Sequence, residues 1–283
     1  MGLLIYEAAI LSDISQKEKR SKGTVVALGE PLLLFNRKQL AGICKELGCS
    51  YPRVWDDTSK AKSVFTAKEY FIELGYDEYL ALDYSDYEGA DIVHNLNFKI
   101  EDQKLKGVAD LIFDAGTVEH VFNTPQVFDC IHDLLKIGGV IIYSSPTNGY
   151  LDHGFYQFSP TLFTDYYKAN QYLAINGTLI DRAKSGKVRL APYQYDVYRK
   201  ESPRFIQDRF SFTLSFFCFE KTKYSTSAVI PIQTFYSNMH SDFEQRYEFK
   251  YEYEKVLYSY KHMLLGLLPL RFKKTIMNLI KKK

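Results

Sequence analysis

Long apolar runs are missing from this chain of 283 residues. The longest late one, MLLGLLPL (263–270), falls far short of the roughly 20 residues a membrane span requires, which excludes a helix of that kind. Cysteine is scarce: Cys44, Cys49, Cys130 and Cys218 include no CxxC and no Cys/His set at metal-ligand spacing. Neither a disulfide framework nor a metal site is therefore expected, and free thiols in a reducing compartment are the plain reading. The N-terminus MGLLIYEAAILSDISQKEKR lacks the order of a signal peptide, because acids lie within its apolar part and its basic cluster follows it. Tyr6 stands where a lipidation signal after Met-Gly needs Ser or Thr. The expected location is the cytoplasm. A broad excess of one charge is missing too: the net charge is +2, and residues 271–283 alone hold six basic side chains and no acid. The rest is mildly acidic, which argues against a nucleic-acid binder with a wide basic face. The tail itself, with Leu264, Leu265, Leu267, Leu268, Phe272, Ile276, Leu279 and Ile280 among those basic residues, has two readings. It forms a membrane-surface helix at the inner face of the membrane, or its apolar side packs on the body or on a second subunit.

Present in quantity are hydrophobic residues, 46% of the chain, enough for one α/β domain of about 200 to 250 residues with appended elements. TVVALGEP (24–31) is a short β-branched run, and Leu33 to Leu47 carries helical spacing that stops at Gly48. A second helical pattern, SVFTAKEYFIELGY, stops at Gly75. EYLALDYS (78–85), ADIVHNLN (90–97) and ADLIFDAG (109–116) read as strands. A helix is predicted from about Thr117 to Lys136, interrupted near Pro125, followed by a turn and strand in IGGVIIYSSP (137–146). TLFTDYYKANQY (161–172) reads as a helix, and AINGTLID (174–181) and RFSFTLSFFCFEKT (209–222) as strands. The capping-box spacing Ser241 to Glu244 predicts a further helix running through Tyr247, Tyr251 and Leu257. The central strands are continuous apolar runs without alternation, which indicates a mostly parallel sheet covered on both faces. The expected fold is α/β: a Rossmann-like, doubly wound, seven-stranded sheet at 22–222, a lead-in segment at 1–21 and a C-terminal helical extension at 223–283.

Each early strand ends in something polar or small, where an open α/β sheet exposes its ligand site. The tips are Gly29-Glu30, then Asp83 with Tyr84, then Asn95-Leu96, then Asp114-Ala115-Gly116. An acid at the second tip can accept both hydroxyl hydrogens of a ribose. Asp83 stands 54 residues after Gly29, beyond the usual spacing of roughly 20, so an insertion at 49–63 has to be allowed for.

DLIFDAGTVEHVFNTPQVFDCIHDLLKIGGVIIYSSP resembles the second half of a class I S-adenosylmethionine-dependent methyltransferase. In that family a strand ends near Asp or Asn, Glu-His follows within a turn, and a helix leads through Leu-Leu-Lys-x-Gly-Gly to a strand ending in Pro. Here those are Leu134-Leu135-Lys136-Ile137-Gly138-Gly139 and Pro146. HGFYQFSPTLFTDYY (153–167), YLALDYS and EGADIVHNLN are also similar to methyltransferase-like proteins of bacterial surface-polysaccharide clusters. The resemblance implies S-adenosylmethionine as cofactor, S-adenosylhomocysteine as product, and a small acceptor such as a nucleotide-linked sugar or polysaccharide precursor. One departure is plain. The family's first loop reads acid-x-Gly-x-Gly-x-Gly, whereas ALGEPLLLF keeps only Gly29 and puts Leu32 and Leu34 near the path of the cofactor's amino-acid end.

Each candidate has an ordinary reading beside its functional one. Asp83 binds ribose or closes a turn; Gly29 lets a cofactor approach or makes a tight turn; Asn95, with Leu96, meets the adenine or closes a loop. Glu30, Asp114, Ala115 and Gly116 border the methionine portion. Glu119 is favoured at a helix start by the macrodipole alone. His153, or else His120, is the base that takes a proton from the acceptor hydroxyl, and Tyr156 and Gln157 are acceptor contacts. The alternatives are a non-catalytic binding subunit with a degenerate cofactor loop, and a nicotinamide enzyme, which needs a glycine-rich first loop even more.

Overall fold

The computed structural model describes residues 2–18, 22–56, 66–87, 89–183, 186–193, 211–234, 236 and 249–258. The predicted capping box at Ser241 and the basic tail lie outside these residues, as do His240 and His262. Helices α1 (Ile5–Lys17), α2 (Arg37–Leu47), α3 (Ala67–Glu73), α4 (Thr124–Leu134) and α5 (Pro160–Ala169) surround one sheet. Its strands are β1 (Thr24–Leu28), β2 (Glu78–Asp83), β3 (Ile92–Val93), β4 (Ala109–Asp114), β5 (Leu135–Asn148), β6 (Leu173–Arg182), β7 (Lys187–Pro192), β8 (Phe212–Glu220) and β9 (Lys255–Tyr258). The order across the sheet is β3-β2-β1-β4-β5-β8-β6-β7-β9. The first five strands are mutually parallel. β8 runs antiparallel to both β5 and β6, which makes β6 parallel to the first five.

The fold is thus the Rossmann-like α/β class, with nine strands among the described residues in place of seven. β7 and β9 extend the edge beyond β6. The predicted helix through Tyr251 and Leu257 is overturned: Lys255–Tyr258 pairs with β7, and Tyr251 bridges to Asn176. The reason is visible in YEYEKVLY, where Tyr251, Tyr253 and Leu257 turn inward while Glu252, Glu254 and Val256 do not. That alternation has period two, which suits an otherwise unpaired sheet edge.

Apolar runs in the strands are continuous because both faces are covered. Val25, Ala27, Leu111, Phe113, Ile142 and Phe216 join a core with α1, α2 and α3. Their sequence neighbours Val26, Leu28, Ile112, Ile141, Tyr143 and Phe217 join the opposite core under α4 and α5. There Tyr167 stacks on Phe219 with ring centroids 4.4 Å apart.

Helix boundaries follow local chemistry. α2 starts at Arg37, later than the apolar spacing suggests, because Asn36 and Gln39 form a reciprocal capping box with both bonds at 2.9 Å. It ends on Gly48 in the left-handed conformation (φ 71°). The single helix expected over 117–136 is split into a 3-10 turn at Val118–His120 and α4. Pro125 sits in the first turn of α4, where its missing N–H costs nothing. Between α2 and α3 the buried Arg37 guanidinium is gripped by Glu73 at 2.6–3.1 Å, and Trp55 Nε1 donates to the same carboxylate at 2.8 Å.

Residues 1–21, read from sequence as a lead-in, contain α1, which is buried from Ile5 to Ser15. Its Asp13 carboxylate accepts from Lys17, Ser50 N and Tyr253 Oη, at 2.6, 2.7 and 2.6 Å. The last described segment is thereby fastened over α1. Glu7, fully buried, accepts from Leu4 N and from Ser144 Oγ on β5, both at 2.6 Å.

Burial pushes the Glu7 pKa up from 4.5 to about 7, against the opposing pull of its two hydrogen bonds and of Arg182; Tyr150 is its other ionisable neighbour. The folded state therefore binds this proton more tightly than the unfolded chain does. The contribution to stability is largest below pH 4.5, falls as the pH rises to about 7, and is flat above that. Glu7→Gln, which mimics the protonated acid, is expected to raise stability at pH 8 by about 1–3 kcal/mol and to leave it unchanged at pH 4. Urea denaturation at the two pH values checks this, and equal effects at both would exclude the assignment.

Candidate active site

β1 lies between β2 and β4, so the chain reverses its direction of winding at the β1/β4 boundary. In a doubly wound sheet the crevice at that reversal is the binding position. Register puts Leu28 level with Leu82 and with Asp114, so Gly29, Asp83 and Ala115 leave the sheet side by side. Gly29 has φ 71°, and its N–H donates to Leu82 O at 2.7 Å. Thr117 Oγ1 donates to Leu28 O at 2.5 Å. A Cβ on Gly29 would lie 2.9 Å from Thr117 Oγ1 and 3.8 Å from Asp83 Oδ2. The glycine is thus a shallow floor between a hydroxyl and a carboxylate. Asp83 Oδ1 accepts from Tyr84 N at 2.6 Å, and Oδ2 is turned toward that floor.

The neighbouring candidates are distributed unevenly. Tyr84 is 72% exposed at the rim. Glu30 is held by the buried Tyr79 hydroxyl at 2.6 Å, against β2. Asn95 Oδ1 accepts from Asn97 N and Nδ2 at 3.0 and 2.9 Å and so closes a turn. Leu96 is buried in the core with Val26, Leu28 and Leu82, below the rim. β3 is correspondingly shorter than predicted, since the chain turns at Asn95.

Asp114 is fully buried. Its Oδ1 accepts from Thr117 N at 2.7 Å and Val118 N at 3.3 Å, and Oδ2 from Ser145 Oγ at 3.4 Å. The carboxylate caps the 3-10 turn, with Ala115 buried and Gly116 at φ 90° beneath it. That turn projects Glu119 and His120. Burial, and then the neighbouring Asp114, push the Glu119 pKa above the ordinary carboxylate range, and burial likewise raises Asp114.

His153 comes from the loop after β5. The loop is drawn against the turn: Tyr156 N donates to Glu119 O at 3.2 Å, and a Cβ on Gly154 would lie 2.8 Å from that same oxygen. His153 Nε2 then stands 3.6 Å from Glu119 Oε1, and its ring centroid 5.1 Å from that of His120 in an edge-on arrangement. Burial, then His153, lower the His120 pKa, which favours the neutral imidazole. Gln157 Oε1 accepts from Tyr150 N at 2.9 Å and Tyr156 Oη donates to Phe122 O at 2.9 Å, so both support the loop. Phe122 and Phe155, 69% and 67% exposed, meet edge to face beside it.

Two groups thus form: Gly29, Asp83 and Thr117 at the β1 tip, and Glu119, His120 and His153 beyond the β4 tip. Sequence reasoning missed Thr117, whose hydroxyl ties the two strand tips together, and the two serines of YSSP. Ser144 and Ser145, polar residues ending a buried strand, were the signal for the contacts to Glu7 and Asp114.

No family model and no curated protein matches this chain. Among solved structures it is similar to the 1,6-didemethyltoxoflavin-N1-methyltransferase of Burkholderia thailandensis, at 11% identity over 77% of this chain and 78% of that one, with a TM-score of 0.41. A SAM dependent methyltransferase of Archaeoglobus fulgidus is also similar, at 11% identity over 76% and 94% with a TM-score of 0.41. Likeness of that size carries no weight about function.

Gly29→Ala is expected to lower stability by about 1–2 kcal/mol, from a side chain forced into the left-handed region, with a further loss from the contact with Thr117. Thr117→Ala relieves the contact but also removes the Thr117–Leu28 bond, so against a Thr117→Ala background Gly29→Ala should cost only the left-handed part. Thermal unfolding of the single and double variants checks this, and a Gly29→Ala variant as stable as the parent would remove Gly29's special geometry.

Proposed function

We propose that the protein transfers a methyl group from S-adenosylmethionine to an oxygen of a small acceptor. The observation that carries this reading is Asp83 Oδ2 turned over the Gly29 floor at the reversal of strand order. The donor set fits: a carboxylate at the tip of β2 accepts the ribose hydroxyls, and a site without a Cβ admits the adenosyl group close to the backbone. The exposed Tyr84 flanks it. Asn95 and Leu96 bound the adenine side through the turn they build, and Glu30, Asp114, Ala115 and Gly116 set the wall toward the methionine side.

The bound cofactor supplies an activated sulfonium methyl carbon. An acceptor oxygen held in line with that carbon would need little further activation beyond loss of its proton. This chain has only to position the pair and receive the hydroxyl proton, and His153 or His120 beyond the β4 tip is the group that takes it. Tyr156 and Gln157 hold the loop that presents His153. We take the acceptor to be a nucleotide-linked sugar or another surface-polysaccharide precursor, supported by the likeness of HGFYQFSPTLFTDYY and by nothing in the geometry. A location at the inner face of the membrane is part of the same proposal. No helix among the described residues is long and apolar enough to cross a membrane.

One observation favours a second reading, a non-catalytic binding subunit. Residues 30–36 are an extended stretch with Pro31, Leu33 and Phe35 buried, and not a glycine loop running into a helix. Titration calorimetry with S-adenosylmethionine and S-adenosylhomocysteine separates the two. Binding of both is expected, weakened about 10- to 100-fold by Asp83→Asn, as loss of a charged acceptor implies. Absence of heat in folded protein favours the subunit, and heat with NAD alone would replace both readings. Mass spectrometry of sugar nucleotides incubated with labelled cofactor then tests the acceptor.

A further inference from the structure

We propose that Glu119, His120 and His153 form a binding site for one divalent transition-metal cation. Two imidazoles and a carboxylate each offer one ligand atom, and the three atoms lie within 4.8 Å of one another. Spacing in the sequence gives no sign of the group, because its third member comes 33 residues after the second. Topology brings it back: β5 carries the chain away and the loop behind it returns over the 3-10 turn.

Three observations distinguish this cluster from a chance grouping of polar side chains. Glu119 is 1% exposed, yet its Oε2 has no hydrogen-bond partner among the described residues. A buried carboxylate oxygen left without a partner is costly, and such a group is ordinarily neutralised, paired or coordinated. Its other oxygen stands 3.6 Å from His153 Nε2, an ion-pair distance when the imidazole is protonated, so the carboxylate and the ring already face each other. The approach itself is built in. Gly154 passes so near Glu119 O that a Cβ would meet it at 2.8 Å, and Tyr156 N holds the same carbonyl at 3.2 Å.

The chemistry of the donors selects the ion. Imidazole nitrogen with one carboxylate suits zinc, cobalt, nickel or iron better than magnesium or calcium, which prefer all-oxygen shells. Three protein ligands leave coordination positions open, as in catalytic rather than structural sites. At metal–ligand distances of about 2.0–2.2 Å, the ligand atoms would draw together by roughly an ångström. His120 and His153, both on the exposed side, can swing that far while the buried Glu119 stays fixed.

The cation's part in the reaction rests on the methyl-transfer reading, whereas its binding does not. An acceptor oxygen at an open position loses its proton more readily, because the cation stabilises the alkoxide. The two histidines are then ligands, and the proton passes to solvent in place of an imidazole.

The test uses full-length protein without a histidine tag, stripped with chelator and titrated with Co2+ in the absence of any cofactor. Expected are visible absorption bands saturating at one equivalent, displacement by Zn2+, and a loss of affinity of at least 10-fold in each of Glu119→Gln, His120→Ala and His153→Ala. His153 lies on an exposed loop, and circular dichroism and thermal melting confirm that its variant is folded. Folded parent protein giving neither bands nor heat with Co2+ or Zn2+ would overturn the proposal. So would undiminished binding in His153→Ala. Because the readout needs no S-adenosylmethionine, failure of cofactor binding leaves a positive result standing, and failure here leaves the ribose assignment untouched.

Discussion

The rim of this sheet depends on one buried carboxylate. Asp114, at the end of β4, has no solvent to stabilise it and compensates by accepting from two backbone amides of the next turn and from Ser145 on β5. Those bonds force the chain into a tight 3-10 turn, with Gly116 taking the left-handed step. The turn in turn places Thr117 where its hydroxyl reaches across to Leu28 on β1. The exit of β1, the floor at Gly29 and the placing of Glu119 and His120 are therefore consequences of a single capping arrangement. An aspartate is suited to this position because its short side chain reaches amides three and four residues on, the same geometry that makes it a helix cap.

Much of the fold was readable because its strands are buried on both faces. Val25 to Leu28 and Leu111 to Asp114 show no alternation, and only a sheet between two helix layers tolerates that. Helix ends marked by side-chain chemistry, Gly48 and Pro125, were equally plain. Less plain was α1. IYEAAILSDISQ mixes acids with small and apolar residues and has no clean polar face, so it reads as a mere prelude. It is buried because its acids find partners: Glu7 with Ser144, and Asp13 with Ser50 and Tyr253. Each partner lies on a different element, and no local pattern encodes such pairings. The β9 edge failed for another reason. Its period of two spans only a few residues, and the capping-box spacing upstream at Ser241 and Glu244 predicts a helix through the same stretch.

The candidate site divides along the same line. Tips of parallel strands are local features, and Gly29, Asp83 and Asp114 are singled out as candidates from them. What each tip does depends on its neighbours in space. Asn95, read either as an adenine contact or as the closure of a turn, accepts from Asn97 and closes its own turn. Glu119 looked like a helix-start residue with an ordinary electrostatic role, yet α4 begins five residues later and Glu119 is enclosed instead. Its burial is a property of the returning loop, since Gly154 and Tyr156 cover it from a segment more than 30 residues away.

The extended stretch after Gly29 decides what kind of binding the crevice can offer. In a sheet where a helix begins directly behind the first strand, free amides and the helix dipole face the ligand's anionic end. Here α2 begins only after Asn36, whose side chain already occupies the Gln39 amide, and the intervening residues alternate between core and surface. Leu32 is further confined, since a Cβ on Gly2 would meet its carbonyl oxygen at 2.7 Å. The N-terminus ahead of α1 thus closes over the region a flexible loop would otherwise sweep. In the proposed reading, recognition at this rim comes from discrete side chains, Asp83 foremost, and not from a backbone cradle. Affinity in such a site concentrates in a few charged contacts, so removing one carboxylate should cost more here than in a sheet whose backbone amides share the task.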